Sequence, residues 1–171
     1  MTITFILGGA DSGKSIYAEN LVKKNIGNHG KKIYLATAPI IDNEMKKRVK
    51  LHQDRRDESW TTIEEELFLS KIIEENSSNK NIILIECLTT WISNLIYKKI
   101  NYNSELNSLV NILSKKQCDI IIVSNELGHS IIPDNQLARE FRNINGKMNQ
   151  TIANLSDNVI FVIAGCGQKI K

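Results

Sequence analysis

The stretch Gly8-Gly9-Ala10-Asp11-Ser12-Gly13-Lys14-Ser15 decides the fold, because it satisfies the complete pattern G-x-x-x-x-G-K-S. Residues 3–7 before it are apolar and favour a β-strand, and residues 16–22 after it can continue as a helix. This strand–loop–helix context is the one in which the pattern forms a phosphate-binding loop. An ordinary glycine-rich turn would not account for the full motif together with both flanks.

The residue types of this loop suit a polyphosphate. Its glycines allow successive backbone N–H groups to turn inward around phosphate oxygens, and the start of the following helix adds partial positive charge. Lys14 is expected to reach the outer phosphates, and the Ser15 hydroxyl is expected to hold Mg²⁺. The sequence therefore predicts that the chain binds a nucleoside triphosphate through residues 8–15.

Length and composition indicate one globular domain spanning residues 1–171. Hydrophobic residues make up 42% of the chain and charged residues 24%, which is ordinary for a protein with a sizeable core. The net charge of +3 is too small to argue for a nucleic-acid partner. No apolar run reaches membrane-spanning length, and the first strand begins too early for a signal peptide. We therefore expect a cytoplasmic protein with no nucleic-acid partner and no membrane span.

The three cysteines give no sign of a disulfide or a metal centre. Cys87, Cys118 and Cys166 are odd in number, far apart in the chain and without metal-ligand spacing. We expect them to be reduced residues of the core.

Strand-like and helix-like stretches alternate along the rest of the chain, with neither a long linker nor an internal repeat. Strands are predicted at residues 3–7, 32–37, 60–63, 81–86, 119–124 and 159–164. Helices are predicted after the phosphate loop and at residues 43–57, 64–76, 89–99, 104–116 and about 135–155. Near-continuous apolar strands separated by helices are typical of a parallel sheet buried on both faces. The predicted fold is therefore an α/β phosphate-loop domain with a mostly parallel sheet and helices on both faces.

Glu86 ends the apolar strand at residues 81–86. Phosphate-loop proteins place an acid at such a position to hold Mg²⁺ beside the triphosphate, directly or through water. Glu86 is therefore a candidate metal residue. The alternative, in which it acts as a base toward a hydroxyl acceptor, stays open.

A basic stretch contains the candidate nucleophile. If residues 43–57 are helical, Arg48, His52 and Arg56 share one face at spacings of four residues. Two neighbouring guanidinium groups would favour the neutral, nucleophilic form of His52 and could bind triphosphate oxygens. From spacing alone, a solvated basic helix with an incidental histidine remains the alternative. The other histidines, His29 and His129, are expected to lie in loops.

A series of further motifs follows the phosphate loop in order. It runs Gly8-Gly9-Ala10-x-Ser12-Gly13-Lys14-Ser15, Tyr34-Leu35-Ala36-Thr37-Ala38-Pro39, Asp42-x-Glu44-Met45, Arg48-x-x-x-His52-x-x-x-Arg56, Trp60-x-Thr62-x-Glu64, Glu86-Cys87-Leu88-Thr89-x-Trp91-x-x-Asn94-Leu95, Ser124-Asn125-Glu126-x-Gly128-x-x-Ile131-x-Pro133 and Ala138-Arg139-x-Phe141-Arg142-x-x-x-Gly146-x-x-Asn149-Gln150. This series resembles the bifunctional adenosylcobinamide kinase/adenosylcobinamide-phosphate guanylyltransferase family of cobalamin biosynthesis. The resemblance spans nearly the whole chain.

The resemblance implies two reactions on one scaffold. First, the γ-phosphoryl group of ATP or GTP passes to the hydroxyl of adenosylcobinamide. Second, GMP from GTP becomes attached to a histidine, which matches His52, and adenosylcobinamide-phosphate then takes up that GMP to give adenosylcobinamide-GDP. The resemblance further implies a fold related to RecA and a homotrimer.

The family's site residues carry over by position. The resemblance implies His52, Lys14 and Glu86 as catalytic residues, and Ser15 and Glu86 as the metal site. The implied nucleotide-binding residues are Gly8, Gly9, Ala10, Asp11, Ser12, Gly13, Lys14, Ser15, Ala36, Thr37, Ala38, Gln53, Asp54, Arg55, Arg56, Glu64 and Glu86. Within this set, Glu64 is the candidate for recognising guanosine.

Three positions depart from the family pattern. Asp11 replaces the usual arginine and puts an anion in the phosphate loop, which the loop tolerates if that side chain points outward. Asp57 stands where proline is usual, so the preceding helix can end differently. Ser130 replaces a frequent glycine.

Two other functions stay open: a single-activity phosphate-loop kinase of small molecules, and a nucleotide-dependent switch without catalysis.

Overall fold

The computed structural model describes residues 1–25, 30–39, 43–115 and 117–171, without the side chains of residues 25, 43–46, 48 and 52. The strands are β1 (Ile3–Gly8), β2 (Lys32–Ala36), β3 (Trp60–Glu64), β4 (Ile82–Glu86), β5 (Asp119–Asn125), β6 (Asn158–Ile163) and β7 (Cys166–Lys169). The helices are α1 (Lys14–Asn25), α2 (Asn43–Asp54), α3 (Leu69–Asn76), α4 (Leu88–Tyr97), α5 (Tyr102–Ser114) and α6 (Gln136–Leu155). Among the described helices none is long and apolar enough to span a bilayer.

The strands form one sheet in the order β3-β2-β4-β5-β1-β6-β7. The first six are parallel to their neighbours, and only the edge strand β7 runs antiparallel, against β6. The carboxyl ends of β1, β2, β4 and β5 therefore meet at one edge of the sheet. Ligands of open parallel sheets bind at this edge, and the motifs described above follow these strand ends.

Each central strand is buried on both faces. In β1, Ile3 and Phe5 pack into a core beneath α3, α4, α5 and α6, whereas Ile6 packs into a second core beneath α1. In β4, Ile83 and Ile85 join the first core in the same alternation. The predicted mostly parallel sheet with helices on both faces is confirmed.

Helix α2 is shorter than predicted. It ends at Asp54, not at residue 57. The Asp57 carboxylate accepts hydrogen bonds from the backbone N–H of Ser59, at 2.9 Å, and from its hydroxyl. This local turn competes with helix and leads the chain into β3. Arg56 consequently lies beyond the helix, so the prediction that it continues the helical face of Arg48 and His52 was wrong.

Helix α3 starts five residues later than predicted, at Leu69 in place of Glu64. Glu64 belongs to β3, where it pairs with Ala36. The Glu65 carboxylate then accepts hydrogen bonds from the backbone N–H groups of Leu67 at 2.8 Å and Phe68 at 3.0 Å. These bonds hold a turn that delays the helix.

Strand β7 was not predicted from the sequence. Its four residues are exposed and carry no apolar pattern. Ala164 and Gly165 form the preceding turn with positive φ angles of 50° and 79°, and such turns join antiparallel strands. The expectation that all three cysteines are core residues was wrong for Cys166, which is exposed on β7, whereas Cys87 and Cys118 are buried and free.

Candidate active site

The phosphate loop bridges the end of β1 and the start of α1 in a tightly held conformation. Gly13 has a φ of +87°, a region that side chains with a Cβ rarely adopt, and a Cβ there would lie 3.0 Å from the Cα of Gly165. The Gly165 N–H donates to the Ser12 carbonyl at 2.8 Å. The β6–β7 turn thus braces the loop from outside. The Ser12 hydroxyl is buried without a hydrogen-bond partner among the described residues.

Asp11 is the anion at the tip of the loop. It is exposed, with a φ of 50°, a conformation that aspartate tolerates better than most residues. The side chain therefore points outward into solvent, which is the condition under which this loop tolerates an aspartate beside bound phosphate.

The two residues predicted to hold a metal are in contact. The Ser15 hydroxyl donates to Glu86 Oε1 at 2.8 Å, joining the start of α1 to the end of β4. The Lys14 ammonium group lies nearby, buried to 6% exposure, and donates to the carbonyl of Gly9 at 2.9 Å. The Lys14 side chain thus bends back onto the phosphate loop, and its ammonium group is within reach of the place where the outer phosphates are expected.

The Ser15–Glu86 pair suits Mg²⁺. A hydroxyl and a carboxylate are the hard oxygen ligands that this ion prefers, and it is usually held by one or two carboxylates together with substrate phosphates and water. Elsewhere in the described part of the chain, no group of three or more His, Cys, Asp or Glu residues could hold a metal.

A cavity of about 160 Å³ opens beside this pair. We call it the main cavity, because most of the predicted residues that line a cavity are found here. Seven of the predicted residues line it: Lys14, Ala36, Ala38, Gln53, Arg56, Glu64 and Glu86. A second cavity of about 290 Å³ lies on the outer side of the loop, lined by Asp11, Gly13, Lys14, Ser15, Ile16, Leu51 and Arg55. Lys14 lines both, so the two cavities meet at the phosphate loop.

Arg56 is held over the ring of Tyr34. Its guanidinium carbon lies 3.6 Å from the ring centroid, a cation–π contact. Tyr34 is 5% exposed and contacts Trp60 edge-on, with centroids 6.3 Å apart. Burial, reinforced by the negative charge of Glu86, raises the pKa of the Tyr34 phenol far above its usual range. Arg56 Nη1 is buried without a hydrogen-bond partner among the described residues. It can therefore donate a hydrogen bond to a ligand.

Arg55 ties the end of α2 to α1. Its guanidinium donates two hydrogen bonds of 3.1 Å to the carboxylate of Glu19, which is buried. The neighbouring Asp54 is exposed and forms an ion pair with Lys50 at 3.6 Å. Asp54 lines neither cavity.

Thr37 lies behind the cavity wall. Its side chain is fully buried, and its hydroxyl donates to the Cys87 carbonyl and accepts from the Cys87 N–H, both at 2.8 Å. The Asn94 amide donates to the Thr37 carbonyl at 2.8 Å. Thr37 thus fastens the end of β2 to that of β4, while Ala36 and Ala38 on either side face the cavity.

His52 is carried by α2, three residues after Val49 and one before Gln53, both of which line the cavity. The side chains of His52 and Arg48, and all of His29, lie outside the described residues. His129 lies in the turn after β5, as predicted, and its Nδ1 is 3.4 Å from Glu126 Oε2.

Sequence reasoning assigned no role to several residues that line the main cavity: Tyr34, Val49, Thr62, Cys87, Thr90 and Asn125. Asn125 ends β5 and Cys87 follows β4, whereas Tyr34 and Thr62 lie in the middle of β2 and β3, and Val49 and Thr90 lie on helices. Burial, and then the charge of Glu86, raise the pKa of the Cys87 thiol. The local signal for Asn125 is its position at a carboxyl strand end, and the sheet order is still needed to place it beside the phosphate loop.

The fold and the loop define a phosphate-loop nucleotide-binding protein. A family model described as cobinamide kinase / cobinamide phosphate guanyltransferase matches residues 4–170. The chain belongs to this family. It is 35% identical to the bifunctional adenosylcobalamin biosynthesis protein CobU of Escherichia coli, with 97% of this chain and 98% of that protein covered. It is also 35% identical to protein CobP of Pseudomonas aeruginosa, with 97% and 95% covered.

Solved structures support the fold alone. The flagellar accessory protein FlaH from Methanocaldococcus jannaschii matches with a TM-score of 0.55 at 15% identity, covering 99% of this chain and 78% of that one. An ATPase of a bacterial type III secretion system matches with a TM-score of 0.59 at 11% identity, covering 98% and 56%. The predicted phosphate-loop NTPase fold is confirmed.

Proposed function

We propose that this protein phosphorylates adenosylcobinamide with ATP or GTP and then converts the product to adenosylcobinamide-GDP through a GMP-histidine intermediate at His52. Family membership supports the pair of reactions. The observation that carries the nucleotide site is the 2.8 Å contact between Ser15 and Glu86 beside Lys14. Lys14, Ser15 and Glu86 supply a cation and hard oxygen ligands beside the phosphate loop, which are groups that phosphoryl transfer uses.

In the kinase step, the acceptor hydroxyl oxygen bonds to the γ-phosphorus while the bond from that phosphorus to the β–γ bridging oxygen breaks. The nucleoside diphosphate leaves. Lys14 stabilises negative charge on the transferred group, and Ser15 and Glu86 would hold Mg²⁺, which when bound neutralises charge on the phosphate oxygens. The hydroxyl proton passes to a base, and Glu86 on the cavity wall is the candidate for that role in the alternative in which it does not hold the metal.

In the transfer step, a neutral His52 imidazole attacks the α-phosphorus of GTP, and pyrophosphate leaves as the N–P bond forms. A phosphate oxygen of adenosylcobinamide-phosphate then attacks the same phosphorus, and the N–P bond breaks. The product is adenosylcobinamide-GDP, and the imidazole is again neutral. Arg56 would contact nucleotide phosphate from its place on Tyr34. Glu64, on the cavity wall, would accept from guanine N–H groups.

We further propose that the protein works in the cytoplasm as a homotrimer, as the family resemblance implies. Sedimentation analysis of the purified protein tests the trimer, and a monomer at micromolar concentration would contradict it.

The test of the function uses GTP labelled in the α-phosphate, with Mg²⁺. Label is expected on the protein through a phosphoramidate bond, which is acid-labile and base-stable, and addition of adenosylcobinamide-phosphate is expected to move it to adenosylcobinamide-GDP. GTP labelled in the γ-phosphate is the control and should leave no label. A protein that hydrolyses nucleotide but never carries GMP would be a single-activity kinase or a switch.

A further inference from the structure

Buried polar side chains from two helices converge on the end of β5. Thr89 of α4 and Asn145 and Asn149 of α6 are all buried, and each hydrogen-bonds the main chain of Asn125. The Asn125 N–H donates to the Thr89 hydroxyl at 2.8 Å. The Asn125 carbonyl accepts from the amides of Asn145 at 2.9 Å and Asn149 at 3.0 Å.

A second set of bonds links these groups to one another. The Ser124 hydroxyl, fully buried, donates to Asn149 Oδ1 at 2.8 Å. The Thr89 and Ser124 hydroxyl oxygens lie 3.0 Å apart, and because the Ser124 proton is already donated, Thr89 is the donor in that pair. The chain of donors runs from Thr89 through Ser124 and Asn149 back to the carbonyl of Asn125.

Such a network is costly for a core. Buried amides and hydroxyls must all be paired to avoid a desolvation penalty, whereas apolar residues would fill the same space without that requirement. Asn145 Oδ1 even lacks a partner among the described residues. What the network secures is one fixed geometry for the end of β5.

That geometry places Asn125 on the wall of the main cavity, together with Lys14 and Glu86. In the sheet, Asn125 pairs with Gly8, the first residue of the phosphate loop, and Glu86 pairs with Val123 on the same strand. No described residue hydrogen-bonds the Asn125 amide. An amide has two donors and one acceptor, and this one stands between the phosphate loop and the candidate metal carboxylate.

We propose that the Asn125 amide donates a hydrogen bond to the terminal phosphate of a bound nucleoside triphosphate, and that Thr89 is the positioning residue that holds it there. The proposal deepens the proposed function and rests on it for the identity of the nucleotide site. Its consequence is selectivity: Asn125 contributes to binding a triphosphate and not a diphosphate.

Calorimetry with Mg²⁺ tests this, using the non-hydrolysable β,γ-imido analogue of ATP and, separately, ADP. Asn125→Ala is expected to weaken binding of the analogue about tenfold or more, the usual effect of losing a hydrogen bond to a charged group, and to change ADP binding by less than about twofold. Asn125→Asp adds a negative charge and should weaken the analogue further. Equal changes for both nucleotides, or no change for either, would overturn the proposal.

A matched set tests the positioning role. Thr89→Val removes the hydroxyl at nearly constant shape and is expected to reduce the preference for the analogue over ADP, whereas Thr89→Ser should restore it. Thr151→Val, which removes an exposed helical hydroxyl, is the control. If Thr89→Val does not fold, Asn125→Ala still decides. A wild-type protein that binds the analogue but never phosphorylates adenosylcobinamide contradicts the proposed function, while the binding ratios still judge Asn125.

Discussion

The two walls of the main cavity are built in different ways. The phosphate-loop wall consists of Lys14, Glu86 and Asn125, and each is held by partly buried hydrogen bonds or by strand pairing. The α2 wall consists of Val49, Gln53 and Arg56. Gln53 is exposed. The residues that follow α2 are held by the cation–π contact of Arg56 with Tyr34 and by the hydrogen bonds of Arg55 to Glu19.

The difference separates two tasks. Phosphoryl transfer needs preorganised donors around a phosphate, which a rigid sheet edge supplies. Guanylyl transfer needs a nucleophile at the α-phosphorus, and the candidate His52 is on α2. We therefore expect damage to the phosphate-loop wall to impair both reactions, and damage to the α2 wall to impair mainly the second.

The largest effect is expected from Lys14→Ala. Removing the buried cation should lower the rates of both adenosylcobinamide phosphorylation and protein guanylylation by about 10²-fold or more. Lys24→Ala, at an exposed position in the last turn of α1, is the control and should leave both rates unchanged. A Lys14→Ala protein with near-normal kinase activity would place the kinase site elsewhere.

The second largest effect is expected from Glu86→Gln. The rates of both steps should fall by about 10-fold to 10²-fold, because the neutral amide places Mg²⁺ less well. Raising the Mg²⁺ concentration should recover part of the lost rate. Glu74→Gln on the exposed face of α3 is the matched change. If Glu86→Gln impairs only the kinase step and extra Mg²⁺ has no effect, Glu86 acts as the base and not as a metal residue.

The contrast between the two walls also explains what could be predicted from sequence. The phosphate loop and its strand and helix are local in the chain, so residues 8–15 and the strand ending at Glu86 could be located directly. Tyr34 and Asn125 could not, because each depends on the sheet order that puts β2 beside β4 and β5 beside β1.

The boundaries that were missed have local causes that periodicity does not reveal. A side-chain turn at Asp57 ends the α2 region early, and the Glu65 carboxylate delays α3. Strand β7 is short, polar and exposed, and its place depends on pairing with β6. Family resemblance supplied His52 as nucleophile, whereas the residues alone left it beside a simpler interpretation.

A smaller effect is expected at Tyr34, which supports Arg56. Tyr34→Leu removes the aromatic face and should raise the KM for nucleotide about tenfold, given the strength of a partly desolvated cation–π contact. Tyr34→Phe keeps the aromatic face and should restore most of the affinity for nucleotide in guanylyl transfer. Equal KM values for the Leu and Phe variants would contradict this role.

The smallest effect concerns stability. Arg55→Ala leaves the buried Glu19 carboxylate without its two guanidinium bonds and should lower the free energy of unfolding by about 1–2 kcal/mol. Lys50→Ala breaks only the exposed pair with Asp54 on α2 and should cost less than about 0.5 kcal/mol. Urea unfolding of both variants measures the difference, and equal costs would mean that Arg55 does not anchor the helix.

The division between the two walls is tested most directly by product analysis of His52→Ala. After its fold is verified by circular dichroism, the variant is given adenosylcobinamide with ATP and GTP, beside the wild-type protein. We predict that adenosylcobinamide-phosphate accumulates at a rate near that of the wild type while adenosylcobinamide-GDP and protein-bound GMP are absent. Loss of the kinase step as complete as that of the transfer step, or unchanged formation of adenosylcobinamide-GDP, would contradict it.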